Sequence, residues 1–96
     1  MKYKLIYLEW EDATSKSSWE TPEDALEWFS KDNSVACDVG WLIKETKTHL
    51  LIASRYMSPS PWAEESLGLL EKIPKGWIKK RVDLTKYIYE NKQTHK

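Results

Sequence analysis

Rings placed beside cations are the feature of this chain best suited to chemistry. Six tryptophans and five tyrosines stand against one phenylalanine. Indole and phenol rings join a flat apolar face to a polar handle, so they serve equally as core and as platforms on which a ligand stacks. Arg55 precedes Tyr56, and Lys75 lies two residues before Trp77. Each pairing sets a phosphate-binding charge beside a ring that can carry a base. Trp10 and Trp19 flank the small, polar stretch from Asp12 to Ser18, where burial is hard to arrange, and Asp12 supplies an acceptor for a base or ribose. Trp10, Asp12, Trp19, Arg55, Tyr56, Lys75 and Trp77 are therefore the candidate ligand-binding residues for a nucleotide-type small molecule. The basic run Lys75, Lys79, Lys80 and Arg81 reads equally well as a solvated face, because strand alternation sends Lys79 and Arg81 to one side and Lys80 to the other.

The same inventory argues against catalysis. His49 and His95 are the only histidines and Cys37 the only cysteine, too few ligands for a zinc site. Cys37 and His49 fall at opposite ends of one expected hairpin, about six residues apart at about 3.3 Å each, so they do not meet within a chain. Gly40, Gly68 and Gly76 are isolated and form no phosphate loop. Acidic neighbours such as Glu11-Asp12 and Glu64-Glu65 suit a solvated surface. No catalytic residue, metal or cofactor is expected, and the reading is a binding protein rather than an enzyme.

Composition bounds the rest. Ninety-six residues make one modest core. Fifteen basic residues balance fifteen acidic ones, so the chain as a whole has no field to gather nucleic acid or anionic lipid. The balance conceals an asymmetry: Glu9 to Glu27 is acidic, whereas Lys72 to Lys86 is basic. Opposed ends favour contacts between chains, and a homo-oligomer is expected. With one cysteine there is no intrachain disulfide, which fits a reducing compartment. The apolar runs are far shorter than the roughly 20 residues of a membrane helix, and Glu9, Glu11 and Asp12 break any signal-peptide core. A cytoplasmic protein is the expectation.

The elements that must position these residues are mostly strands. Residues 3 to 10 mix Tyr, Ile, Leu and Trp and read as a strand with two apolar faces. Thr21-Pro22-Glu23-Asp24 combines an N-cap, a proline at the first helical position and acidic residues behind it. It opens a helix over about 22 to 31 with Ala25, Leu26, Trp28 and Phe29 on one stripe. From Val35 to Ile43 the odd positions are apolar, a half-buried strand, and Gly40 admits a bend or the approach of another backbone. A short link near Thr46-Lys47 leads to a strand from His49 to Tyr56, and a two-residue link would set Asp38 opposite Arg55. Ser58-Pro59-Ser60-Pro61-Trp62 breaks the ladder and begins a long loop. Leu67 to Ile73, the turn Pro74-Lys75-Gly76 and Trp77 to Leu84 complete the sheet. This predicts one domain over 1–86, with a core of Leu5, Tyr7, Leu26, Phe29, Val39, Trp41, Leu51, Ile52, Leu70, Ile73 and Ile78, and a flexible tail over 87–96.

Trp10-Glu11-Asp12, Trp19, the run from Val39 to Glu45, Ile52-Ala53-Ser54 and the run from Ile73 to Ile78 together resemble a family of small phage-encoded proteins. The resemblance spans residues 4 to 84. It implies a mainly β fold of roughly five strands, a small Sm-like or SH3-like β-barrel into which this chain inserts one helix between the first two strands. It also implies rings or dimers, and a phage anti-defence role in the bacterial host cell: a sponge that sequesters a nucleotide immune signal, such as a cyclic dinucleotide or an ADP-ribose derivative, without destroying it. Two alternatives stand beside that one. An Sm-like RNA- or DNA-binding ring would need a continuous positive surface, which zero net charge disfavours. A protein-directed inhibitor of a host nuclease or immune effector would use an edge strand and exposed tryptophans.

Overall fold

The computed structural model of the chain describes residues 3–11, 16–31 and 34–88. The protein is mainly β. Its order is β1 (Lys4–Glu11), α1 (Pro22–Phe29), β2 (Val35–Glu45), β3 (His49–Met57), β4 (Ser66–Pro74), a 3-10 turn (Lys75–Trp77) and β5 (Ile78–Asp83). One antiparallel sheet holds all five strands in the order β4-β3-β2-β1-β5. The strand boundaries and the inserted helix are those the sequence predicts to within about two residues. Residues 85–88 add a single helical turn that runs from the end of the expected domain into the first two residues of the expected tail, and residues 89–96 lie outside the described residues.

The sheet does not close into a barrel: β4 and β5 remain its edges. It curls instead. At Gly40 a β-carbon would lie 3.0 Å from the carbonyl oxygen of Ala53 and 3.4 Å from the Ile52 side chain. Only glycine lets the two backbones come so close. Irregularities at Glu9/Trp10 and between Leu42 and Lys44 bend the ladder further. On β4 Leu69 adopts a positive φ of 54°, in the left-handed region, with the β3–β4 register the same on either side of it. These bulges also shift the register. The β2–β3 link is three residues, Thr46 to Thr48, closed by Thr46 N–H donating to the His49 carbonyl. Asp38 therefore faces Leu8 on β1, and Arg55 faces Gly68 on β4; the expected Asp38–Arg55 pairing does not form.

The concave face of the curl carries the core: Ile6, Leu8, Leu50, Ile52 and Ile73 are essentially buried, with Trp10, Leu42 and Ile78 packed against them. This revises the core expected from the sequence. Ile52 and Ile73 are buried, and Ile78 is partly so. Leu5, Tyr7, Trp41 and Leu51 are half-buried on the outer face, and Val39 and Leu70 are exposed there. The odd positions of β2 from Val35 to Ile43 are the more apolar set, but curvature decides burial. The inner face encloses its residues on all sides, whereas a convex face leaves the same residue types uncovered.

Helix α1 forms for the reasons its sequence supplies. Thr21 Oγ1 accepts from Asp24 N–H at 3.2 Å, Pro22 holds the first helical position, and Glu23 and Asp24 favour the positive helix start. Its end is capped by Ser30, whose hydroxyl donates to the Glu27 carbonyl at 2.6 Å. No α1 residue is buried. Leu26 is 70% and Phe29 80% exposed, so neither belongs to the core predicted for it. The loop after β3 also organises itself: Ser60 and Ala63 bond to each other around Pro61 and Trp62, leaving Trp62 fully displayed at the tip.

Candidate functional site

Of the ring and cation residues nominated from the sequence, the fold brings Trp10 and Trp77 into contact. The β1–β5 register sets Trp10 opposite Ile78, so the residue just before β5 falls beside the Trp10 ring. The two indoles stack with centroids 6.3 Å apart and planes at 20°, an offset geometry that contributes about 0.5–1.5 kcal/mol beyond area burial. Trp10 Nε1 donates to Asp38 Oδ2 at 2.7 Å. Asp38 in turn meets Glu71 of β4 across the inner face. Burial, and then the hydrogen bond to Asp38, raise the Glu71 carboxyl above its usual range, because two adjacent carboxylates resist ionising together.

Lys75 faces the other way. Its ammonium lies 2.6 Å from Glu45, and Arg81 grips the same carboxylate through two hydrogen bonds of 2.9 and 3.0 Å. Bidentate guanidinium bonding first and Lys75 second hold the Glu45 carboxyl down at about 2. Lys75 N–H also donates to the Thr48 carbonyl at 2.8 Å. The tip of the β2–β3 hairpin is thus tied to the start of β5 by side chains and one backbone bond, where a closed barrel would use a strand ladder.

Arg55 and Tyr56 are not part of this group. Tyr56 sits on β3, donates to Glu65 at 2.6 Å and meets the Tyr3 ring edge-on at 6.2 Å. Arg55 lies over Gly68 on β4. Trp19 is wholly exposed ahead of α1, and Asp12 lies outside the described residues. The six described residues therefore divide into a Trp10–Trp77 stack, Lys75 bound to Glu45, an Arg55–Tyr56 pair linked to Tyr3, and an exposed Trp19.

None of these residues lines the open depression of about 550 Å³ beside Glu45. Its apolar lining is Leu42 and Ile43 of β2, and Tyr3 is its ring. Lys4, Lys44 and Arg81 give it three cations against the single carboxylate of Glu45. Of these, Arg81 belongs to the basic run that the sequence offers for a phosphate, whereas Tyr3, Lys4 and Lys44 carry no such signal in the sequence. The signal that could have found them is the bulge at Ile43: it turns Lys44 and Glu45 out of simple alternation and lets β1 and β5 contribute to the same hollow. The site can attract an anion, receive a ring against Tyr3, and offer a short apolar floor. Among the described residues no group of His, Cys, Asp and Glu is placed to hold a metal ion, and no helix is long and apolar enough to cross a membrane.

No protein-family model matches the chain, and neither the curated proteins nor the solved structures contain a match to it.

Proposed function

We propose that this is a non-enzymatic binding protein that sequesters a nucleotide-type immune signal, a phage anti-defence protein acting in the cytoplasm of a bacterial host. The observation that carries the reading is the depression lined by Tyr3, Lys4, Lys44 and Arg81. It pairs cations with a ring, the combination a nucleotide requires, on a scaffold whose nearest carboxylate, Glu45, is already engaged by Arg81 and Lys75. Lys4 and Lys44 supply charge for a phosphate, each charge-assisted bond contributing about 1.5–3 kcal/mol. Tyr3 supplies a stacking face, at about 1–3 kcal/mol per base. The resemblance to small phage barrels supports the sponge role, in which the ligand is held and released intact.

Calorimetry with cyclic dinucleotides and ADP-ribose derivatives tests this. The expected result is saturable binding by one of them that Lys4→Ala with Lys44→Ala weakens at least tenfold, about 1.4 kcal/mol, with the nucleotide recovered unchanged after heating. No heat from any of them, alongside salt-sensitive binding to RNA, would favour an Sm-like nucleic-acid ring instead. Degradation of the nucleotide would mean an enzyme.

A protein-directed inhibitor is the second reading. It is favoured by Trp19 and Trp62, both almost entirely solvent-exposed, because tryptophan is the residue most enriched at binding hot spots.

A further inference from the structure

The depression already holds an anion of the chain's own. Arg81 donates from both Nη1 and Nη2 to the Glu45 carboxylate, at 3.0 and 2.9 Å, and both residues belong to its lining. Because β1 lies between β2 and β5, the pair spans the strand that carries Lys4. A guanidinium fork is the group that grips a phosphate through two parallel bonds, and here Glu45 occupies it. A phosphate entering the depression must either sit beside this carboxylate, against the repulsion of like charges, or take Arg81 from it.

Two observations favour the exchange. The Arg81 and Glu45 side chains are 38% and 33% exposed, and ion pairs so open to water contribute little, so an anion of higher charge can replace the carboxylate. Glu45 also has a second cation. Lys75 Nζ lies 2.6 Å from Glu45 Oε2, the oxygen that accepts from Arg81 Nη1. Lys75 stands outside the lining of the depression, and its backbone N–H is anchored on the Thr48 carbonyl at 2.8 Å. It therefore keeps the carboxylate when Arg81 leaves. Asp83, the other carboxylate whose charge acts on Arg81, accepts from the Thr85 N–H at 2.9 Å and keeps that bond whichever way Arg81 turns.

We propose that Glu45 is a built-in competitor for the depression: a bound phosphate group takes the Arg81 fork, and Lys75 holds the displaced carboxylate. This role rests on the reading of the depression as a phosphate site and adds to it the control of affinity. Glu45 lowers affinity by competing. Lys75 raises it by retaining the competitor, without touching the ligand.

Calorimetry at neutral pH with inorganic pyrophosphate, and separately with ADP-ribose, tests this on the wild type, Glu45→Gln, Lys75→Met and the double variant, each shown to be folded by circular dichroism. Glu45→Gln is expected to bind about tenfold tighter than the wild type and Lys75→Met about threefold weaker. The double variant is expected to match Glu45→Gln, because Lys75 then has no competitor to hold. Equal weakening by Lys75→Met in both backgrounds would overturn the proposal, since a lysine that only adds to the positive field acts that way. Glu45→Gln binding no tighter than the wild type would overturn it while leaving the phosphate site standing, whereas binding of neither probe by any of the four chains would remove both. The wild type alone supplies a further check: on saturation with pyrophosphate the Arg81 Nε–H resonance is expected to move while the Lys75 backbone amide stays in place. Saturable binding with an unmoved Arg81 resonance would contradict the exchange.

Discussion

The two faces of the sheet are built from nearly the same residue types and have opposite fates. Inside the curl, Ile6, Leu8, Leu50, Ile52 and Ile73 lose essentially all contact with water. Outside it, Leu5, Tyr7, Val39, Trp41 and Leu70 keep a third face open or stand half in solvent. The inner face also satisfies its polar groups internally: Asp38 takes the Trp10 indole, and Glu45 takes Arg81 and Lys75. What separates the faces is curvature, set by Gly40 and the bulges. Apolarity alone does not determine which side becomes the core, and a convex apolar surface is one that awaits a partner.

Substitutions that place the same charge on opposite faces have opposite consequences. Leu8→Asp or Ile52→Asp buries an unpaired carboxylate in the core and is expected to cost about 3–5 kcal/mol or to prevent folding, read by urea denaturation. Gly40→Ala comes next. Its methyl meets the Ala53 carbonyl at 3.0 Å, and the uncurling this forces is expected to cost about 1–3 kcal/mol, with more exposed tryptophan fluorescence. Trp77→Ala removes one half of the indole stack and is expected to cost about 1–2 kcal/mol; Trp10→Ala should cost more, because Asp38 also loses its donor.

Glu45 sharpens the comparison through pH. Its carboxyl is held at about 2 in the folded chain against an ordinary 4.5, so its contribution is complete above about 4.5 and disappears as pH falls through about 2. Glu45→Gln is expected to flatten the fall in thermal midpoint across that window and to loosen the hairpin tip from β5. The smallest effect belongs to the outside: Leu26→Asp should change the stability of an isolated chain by no more than about 0.5 kcal/mol. That reverses what its position on an amphipathic stripe suggests.

The elements were legible in the sequence because each depends on local signals. Thr21-Pro22 opens the helix, the prolines after Met57 stop β3, and the Pro74-Lys75-Gly76 turn leads into β5. The faces were not legible. β1 has apolar residues at both parities, and the odd positions of β2 from Val35 to Trp41 are all apolar yet lie outside. Only the long-range register, with its bulges at Ile43 and Lys79, fixes which side turns inward. The candidate site shows the same limit. Trp10 and Trp77 could be nominated by residue type, but their contact follows from β1 lying beside β5. Asp38 and Glu71 acquire meaning only where the curled sheet brings β2 and β4 together, and Lys4 and Lys44 only where the bulge at Ile43 opens the depression.

Backbone amide chemical shifts recorded while a cyclic dinucleotide or an ADP-ribose derivative is added test the central claim most directly. Saturable shifts clustered at Tyr3, Lys4, Lys44, Glu45 and Arg81, with the amides of α1 unmoved, are the predicted result. Shifts confined to α1, Trp19 and the outer face, or no saturable shift with any of these nucleotides, would contradict it.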